Sequence, residues 1–590
     1  MKESESQSKE DRAGRPGRGV VPGLRLAVTA LFLGLVGVVA WYQLRPDRAL
    51  TEKALREQSR LVYVPACRGE LQDRMGTPLN VTRPSYAIVI RPDQVRDPRD
   101  TRATTLVKLE ERIAALAADL GPEAYASLPS RERISWHLRQ EPAMPLELWE
   151  DVSAETRARW LTLRRQHPAT EIMLSWKREY LQPETAPQLR GSVRRTTPKG
   201  GQERRYWNAN APELSGATGM ERVLDYLLGG QPGTELLQTD VLSYRASVLD
   251  YEPAAKGDDC RLSIYLPAQH KAEELFRQNG LSGAVVALEM ETGQVLVMHS
   301  APSTPLGSAS QGKGGDMNRA LAGYYPPGSV MKPLLALYAL EKGIGANIRT
   351  VDCPGYYPIT SKRKLGCSHV HGKQDMKEAI ANSCNTFFCT LGSQFTQEQW
   401  NDFAELFGFG EKTGEDLAEQ EIAGVPFCPK WVKSSRKNDR VWHPGDAANG
   451  SIGQGGWIVT PMQLALAMNF ALTGKLLSPR YFLQDDIRIR KQHDFPIWAQ
   501  TLVKSGMEQC VLTGTGQSLK TPVISILAKT GTAETGSRQK PHAWMVAAAP
   551  ANNPKYLVVV TAEHGGGGGR VAGPVAREVL LSLLAMEENP

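Results

Sequence analysis

Between Arg25 and Arg45 lie nineteen residues without a charge, Leu26 to Leu44. As a helix rising about 1.5 Å per residue, this run is close to the ~30 Å hydrocarbon core of a bilayer. Trp41 and Tyr42 stand at one end, as interfacial aromatics do. The competing reading is a cleaved signal peptide ending near Val38-Val39-Ala40. Its apolar region would exceed the usual ~7–15 residues, so the segment 26–44 is read as an uncleaved anchor. Charge does not set the orientation: residues 11–25 carry four Lys/Arg and residues 45–60 carry five. Residues 1–25, polar with Gly and Pro, read as a disordered tail, cytoplasmic if the large domain lies outside.

A chain of 590 residues is too long for one core. With 41% hydrophobic and 23% charged residues it has an ordinary globular balance. A net charge of +7 is small for this length, and no clustered basic stripe suggests nucleic acid. The basic stretch Arg190–Arg205 reads as a solvated loop.

Strands are expected at Tyr86–Ile90, at Cys260–Leu266, as a hairpin of 285–287 with 294–297 about Glu291-Thr292-Gly293, and at 543–547 and 556–561. Helices are expected at 45–60, 103–120 (Leu106, Leu109, Ile113, Leu116 and Leu120 in steps of three and four), 131–165, 269–278 and 571–586. Residues 301–317, rich in Ser, Gly and Pro, read as a mobile loop.

Three short motifs carry chemistry. Ser329-Val330-Met331-Lys332 places a hydroxyl and an amine one helical turn apart, so a neutral amine can take the hydroxyl proton and make a nucleophile. Ser383-Cys384-Asn385 adds a hydroxyl able to relay a proton and an amide able to hold a peptide group. Lys529-Thr530-Gly531-Thr532 sets an ammonium and two hydroxyls around a glycine, where a strand can run close to a bound peptide. Tyr325-Pro326-Pro327-Gly328 makes a turn into Ser329. A lone Ser-x-x-Lys is most often a helix start with a solvated lysine; three motifs in this order are a far stronger signal.

The set matches that of penicillin-binding proteins and serine β-lactamases, and the chain resembles the monofunctional, class B penicillin-binding proteins. Arg68-Gly69, Asp73-Arg74 and Gly76 are similar to that family's RG-x-I-x-DRNG segment, with Met75 where asparagine is usual. Gly219-Met220-Glu221-Arg222 with Leu228-Gly229 and Gly233 resembles its GxE…L-x-G-x-x-G segment. Ser451-Ile452-Gly453-Gln454-Gly455 with Thr460-Pro461 and Gln463 resembles its IGQG…TPxQ stretch, and Asn318-Arg319-Ala320 precedes the serine as in relatives. The resemblance covers roughly residues 60 to 585. It implies an α/β (α+β) fold: a transpeptidase domain at 251–590, an antiparallel sheet covered by helices, on an elongated non-catalytic pedestal at 45–250. It also implies an inner-membrane, single-pass protein with its catalytic domain in the periplasm.

By the same resemblance the chain is expected to be a D,D-transpeptidase and a β-lactam target. Ser329 would attack the penultimate D-Ala carbonyl of a peptidoglycan stem peptide, with Lys332 as base. Ser383 would pass a proton to the leaving amine, Asn385 would hold the substrate's peptide group, and Lys529, Thr530 and Thr532 would bind the terminal carboxylate. Backbone N–H groups of Ser329 and of Thr532, beside Gly531, would form the oxyanion hole. An amine from a neighbouring stem would complete the cross-link; water in its place would give D,D-carboxypeptidation. No acidic glycosyltransferase motif precedes the catalytic region, and no His-Glu-x-x-His accompanies it as a β-lactam sensor would require. A β-lactamase would have no use for the anchored N-terminal half. The Cys- and His-bearing loop after the first motif and the interrupted helical insert at 103–165 resemble the elongation type. Its partners would be a SEDS-family membrane glycosyltransferase and a rod-shape scaffold protein. A division-type enzyme and an inactive scaffold of the wall-synthesis complex are the alternatives.

Eight cysteines lie beyond the anchor: Cys67, Cys260, Cys353, Cys367, Cys384, Cys389, Cys428 and Cys510. Cys389, beside Phe387 and Phe388, reads as a packing residue. Cys353, Cys367, His371 and Cys384 form a candidate set for one structural Zn²⁺, three thiolates and an imidazole with no open position. Some elongation-type relatives hold zinc in this loop with Asp, His and Cys. A Cys353–Cys367 disulfide is the competing reading, and His369 could stand in for His371.

Overall fold

The computed structural model describes residues 20–44, 58–196, 213–307, 317–361, 363–435, 441–536 and 539–586. Most of the expected tail, most of the 45–60 helix, and residues 197–205 and 308–316 of the two expected loops lie outside the described residues. Helix α1 (Val20–Leu44) contains one span, Gly23–Gln43, long and apolar enough to cross a membrane, with mean hydropathy 2.1. None of it is buried against the rest of the protein, as a lipid-facing helix requires.

The N-terminal half runs β1 (Ser59–Val64), β2 (Leu71–Gln72), β3 (Pro78–Ile90), α2 (Arg102–Leu120), α3 (Arg131–Gln140), β4 (Leu146–Trp149), α4 (Ala154–Leu163), β5 (Thr170–Tyr180), β6 (Gly233–Thr239), β7 (Arg245–Glu252) and β8 (Cys260–Arg261). One sheet has the order β1-β6-β7 and a second β8-β2-β3-β4, with β5 also pairing β3. The expected strand 86–90 is the end of the long β3, paired from Asn80↔Tyr180 to Ile90↔Thr170. Helix α2 starts at Thr101, whose side chain accepts from Thr104 N–H, and stops at Gly121. Its Leu109, Ile113, Leu116 and Leu120 bury against β3 and β4. The zone 131–165 is not continuous helix: β4 separates α3 from α4, pairing with β3 and burying Leu146, Leu148 and Trp149 in the same core.

The C-terminal half runs α5 (Leu266–Gln278), β9 (Gly283–Glu289), β10 (Val295–Ala301), α6 (Lys332–Glu341), α7 (Met376–Ala381), α8 (Asn385–Gly392), α9 (Pro461–Thr473), α10 (Ile497–Leu512), β11 (Leu527–Ala533), β12 (His542–Ala549), β13 (Tyr556–Ala562) and α11 (Gly568–Leu584). The strand expected at 260–266 is only two residues long; Pro267 in the first turn starts α5 early. The five strands form one antiparallel sheet, β10-β9-β13-β12-β11. Alternation along the strands serves two cores. Val285, Ala287, Met545, Ala547, Val558 and Val560 pack on α5 and α11. Val286, Leu288, Val546, Ala548, Leu557 and Val559 belong to the larger core with α6, α8 and α9. Each of the Val, Leu and Met side chains contributes about 1.5–3 kcal/mol on burial.

The TPxQ stretch is a capping box on α9: Thr460 accepts from Gln463 N–H, and Gln463 Oε1 accepts from Thr460 N–H. Gln463 Nε2 then donates to Glu411 O and Ala423 O, tying that buried helix to the loop before it.

Candidate active site

The sheet ends in β11, an edge strand, and the nucleophile turn lies against that edge. A Cβ on Gly531 would stand 2.8 Å from Trp544 Cβ and 3.0 Å from Val330 Cγ1, so only glycine lets strand and turn approach. Gly453 has the same task on the other side: with φ +70, its Cβ would come within 2.0 Å of Gly328 O.

Ser329 sits on a single 3₁₀ turn, Gly328–Met331, continued directly by α6. The Lys332 N–H bonds Ser329 O, which puts serine and lysine on one turn as the spacing predicts. The turn is held from behind by Tyr325, whose hydroxyl donates to Glu563 Oε1 at 2.6 Å, while Arg319 Nε donates to the same oxygen at 3.0 Å. Glu563, more than 230 residues away in sequence, carried no signal that could have found it. The Ser329 N–H, one of the unpaired donors of a helix start, makes no backbone bond among the described residues.

Lys332 is fully buried, and its Nζ donates to Ser383 O (2.6 Å), Asn385 Oδ1 (2.7 Å) and Ser383 Oγ (3.3 Å). Motifs one and two therefore meet at this amine. Ser383 holds φ at +58, left-handed for a side-chain-bearing residue, a conformation costing of order 1–3 kcal/mol. That turn aims its carbonyl and hydroxyl at Lys332 together. Lys529, also fully buried, donates to Thr530 O at 2.9 Å. The structure does not join Lys529 to Ser383, or Lys332 to the Ser329 hydroxyl, by hydrogen bonds. No carboxylate pairs with either lysine among the described residues. Burial, then the nearby Lys529 charge, pulls Lys332 down to about 7, and burial pulls Lys529 down to about 8. An uncompensated pair of buried amines suits a base at the first position and an anion-binding group at the second.

The loop between α6 and α8 brings Cys353, Cys367, His371 and Cys384 together, with all four donor atoms within 4.8 Å of one another. His371 Nδ1 lies 3.5 Å from Cys353 Sγ and 3.4 Å from Cys367 Sγ, and the Cys367 and Cys384 sulfurs are 3.9 Å apart. These match the edges of a tetrahedron about 2.3 Å from metal to sulfur and about 2.0–2.1 Å to nitrogen. Cys353 and Cys367 are free thiols, not a disulfide. His369 lies against His371, 4.0 Å between centroids with the rings tilted by 50°, and stays outside the set. The hydrogen bond between the Cys367 and Cys384 sulfurs holds the Cys367 thiol well below its ordinary value and raises Cys384. The cluster touches motif two: Asn385 N–H donates to Cys367 Sγ at 3.0 Å, and Asn385 Nδ2 donates to Gly366 O at 2.7 Å. Cys389 packs in the core as expected, with its thiol on Ala448 O.

A serine on a helical turn under the edge of a five-stranded antiparallel sheet, with two buried lysines beside it, defines an active-serine acyl-transfer fold. Residues 283–581 match the penicillin binding protein transpeptidase domain, and residues 63–262 the penicillin-binding protein dimerisation domain. The first match alone takes in more than half of the chain, which belongs to the penicillin-binding protein transpeptidase family. The peptidoglycan D,D-transpeptidase MrdA of Acinetobacter baumannii is 31% identical over 64% of this chain and 62% of that protein. MrdA of Escherichia coli K12 is 27% identical over 96% of this chain and 95% of its own length. A penicillin-binding protein PBP2 from Helicobacter pylori, solved in complex with MreC, has the same fold: TM-score 0.73, 23% identity, 90% of this chain and 99% of that one. A chain of a peptidoglycan synthase complex that coordinates polymerization and crosslinking aligns at TM-score 0.66 with 26% identity, over 96% and 98%.

Proposed function

We propose that this protein is a peptidoglycan D,D-transpeptidase of the elongation type. The observation that carries the reading is the buried Lys332 amine joined to both residues of motif two, one turn from Ser329. In its neutral form Lys332 takes the Ser329 hydroxyl proton as Oγ bonds to the penultimate D-Ala carbonyl carbon. The oxyanion is met by the Ser329 and Thr532 N–H groups, each worth about 2.7–4 kcal/mol in the transition state. As the C–N bond breaks, Ser383 delivers a proton to the departing D-Ala amine and is reprotonated from Lys332, 3.3 Å away. Asn385 holds the stem's peptide group, and Lys529, Thr530 and Thr532 hold its terminal carboxylate. An amine of a second stem then attacks the ester and restores Ser329. Purified protein given a D-Ala-D-Ala-ended pentapeptide and an amine acceptor is expected to release D-Ala and form the cross-linked product. D-Ala release absent from folded protein, with and without acceptor, would contradict the reading.

The elongation role rests on similarity to MrdA proteins and to PBP2 structures, one with MreC and another in a synthase complex. On this reading the catalytic unit, 251–590, stands in the periplasm on a 45–250 pedestal above the membrane helix. It works with a SEDS-family glycosyltransferase and a rod-shape scaffold. Depletion should round the cells; filaments with blocked septa would mean the division type.

Cys353, Cys367, His371 and Cys384 are further proposed to hold one structural Zn²⁺. The donor set is closed, so the metal would supply rigidity rather than a reactive water. Through Cys367 and Gly366 it would fix the backbone and amide of Asn385. Protein purified without added metal is expected to carry about one zinc per chain by elemental analysis. Zinc-free protein with two fewer titratable thiols after denaturation would contradict the site in favour of a disulfide.

A further inference from the structure

The three motifs leave one hydroxyl beside the carboxylate site without a task. Thr515 lies in the loop after α10, exposed, with its Oγ1 2.6 Å from Thr530 Oγ1. Its backbone is fixed to the second motif's lead-in, for Thr515 N–H donates to Ala381 O at 3.2 Å. Behind it stands Cys510, with Sγ 3.4 Å from Thr515 Oγ1. Thr515 O faces Gly569, where a Cβ would come to 2.5 Å, so the loop is clamped against the start of α11. The hydroxyl is thus held beside Thr530 by backbone on both sides.

We infer that Thr515 is a positioning residue for carboxylate recognition, acting through Thr530; the inference rests on the transpeptidase reading above. A hydroxyl has one proton and two lone pairs. The only backbone carbonyl within reach of Thr515 Oγ1 among the described residues is Ala381 O, at a long 3.5 Å. On this inference the Thr515 proton goes to the much shorter contact with Thr530 rather than to Ala381 O, and the Cys510 S–H, a weak donor, fills a Thr515 lone pair. With its acceptor side occupied by Thr515, Thr530 keeps its own proton to donate to an anionic substrate carboxylate. Donors chained in one direction strengthen each other, and bonds to a charged acceptor are about twice as strong as neutral ones. Thr515 thereby favours substrates that end in a free carboxylate.

The test compares Thr515→Val, close in shape but without the hydroxyl, with Thr515→Ser, which keeps it. Each detergent-solubilised full-length variant is acylated with benzylpenicillin and with its methyl ester, which lacks the carboxylate charge, and its melting temperature is recorded. Thr515→Val is expected to lower the second-order acylation rate with the acid about tenfold, mainly through weaker initial binding, and less than twofold with the ester. Thr515→Ser should restore the rate with the acid to within about twofold of wild type. An unchanged rate with the acid, an equal loss on both probes, or failure of serine to restore the rate would each overturn the inference. Wild-type protein that neither probe acylates would overturn the transpeptidase reading, and this inference with it.

Discussion

Replacing Lys332 by Met is expected to lower acylation of Ser329 by penicillin by about 10²–10⁴-fold, the range a positioned general base contributes. Methionine keeps most of the apolar stem's volume, so the loss reports the amine. The pH profile of the wild type should show the same group. Lys332 is charged below about 7 and neutral above it. Only the neutral amine accepts the serine proton, so the acylation rate should fall as pH drops through about 7 and level off above 8. At pH 6 it should be about tenfold below the plateau. Removing the second cation with Lys529→Ala should move the midpoint upward, because the nearby charge helps hold Lys332 down. Rates that stay flat from pH 6 to 9, or a folded Lys332→Met protein that keeps a tenth or more of the wild-type rate, would exclude Lys332 as the base.

The second large effect falls in the N-terminal half. Glu221 is fully buried and binds two arginines. Arg68 Nε meets its Oε2 at 2.7 Å, and Arg178 Nη2 meets its Oε1 at 2.6 Å, with Asn80 Nδ2 on Oε1 at 2.8 Å. Arg68 also reaches Asp225 at 2.5 Å and Arg178 reaches Gly69 O at 2.7 Å. The cluster joins β3, β5 and the segment of β2 to the helix carrying Glu221, so one carboxylate holds four pieces of the N-terminal half. Glu221→Gln leaves two buried guanidiniums facing a neutral amide. Breaking a buried pair on one side typically costs about 3–5 kcal/mol. The melting temperature of the full chain should drop by on the order of 10 °C. A drop under 2 °C would show that water or Asp225 carries the compensation instead.

How much of this was legible in the sequence depended on whether a residue's task was local. Periodicity located α2, whose buried positions recur every three to four residues, and the turn Glu291-Thr292-Gly293 between two apolar runs located the hairpin of β9 and β10, which are buried on both faces. It failed at 131–165, where a four-residue strand is too short to show alternation, and at 260–266, where Pro267 ended the apolar run in a helix. The three motifs were legible because each keeps its reactive groups within four residues. The resemblance segments, by contrast, were visible only as patterns; the structure supplies their cause. Arg68 and Glu221 are one ion pair, Thr460 and Gln463 one capping box, and Gly453 a seat for Gly328. Glu563 and the link from Gly366 to Asn385 went unseen, since each depends on chain folding that no short window records.

The central claim is that Ser329 is the nucleophile of an acyl-enzyme, and one measurement addresses it directly. Full-length protein is treated with benzylpenicillin, its intact mass recorded, and the modified peptide sequenced, alongside Ser329→Ala. The account predicts one stable penicilloyl adduct per wild-type chain, located on Ser329, and none on the folded Ser329→Ala protein. An adduct that persists in Ser329→Ala, or that maps to another residue in the wild type, would contradict it.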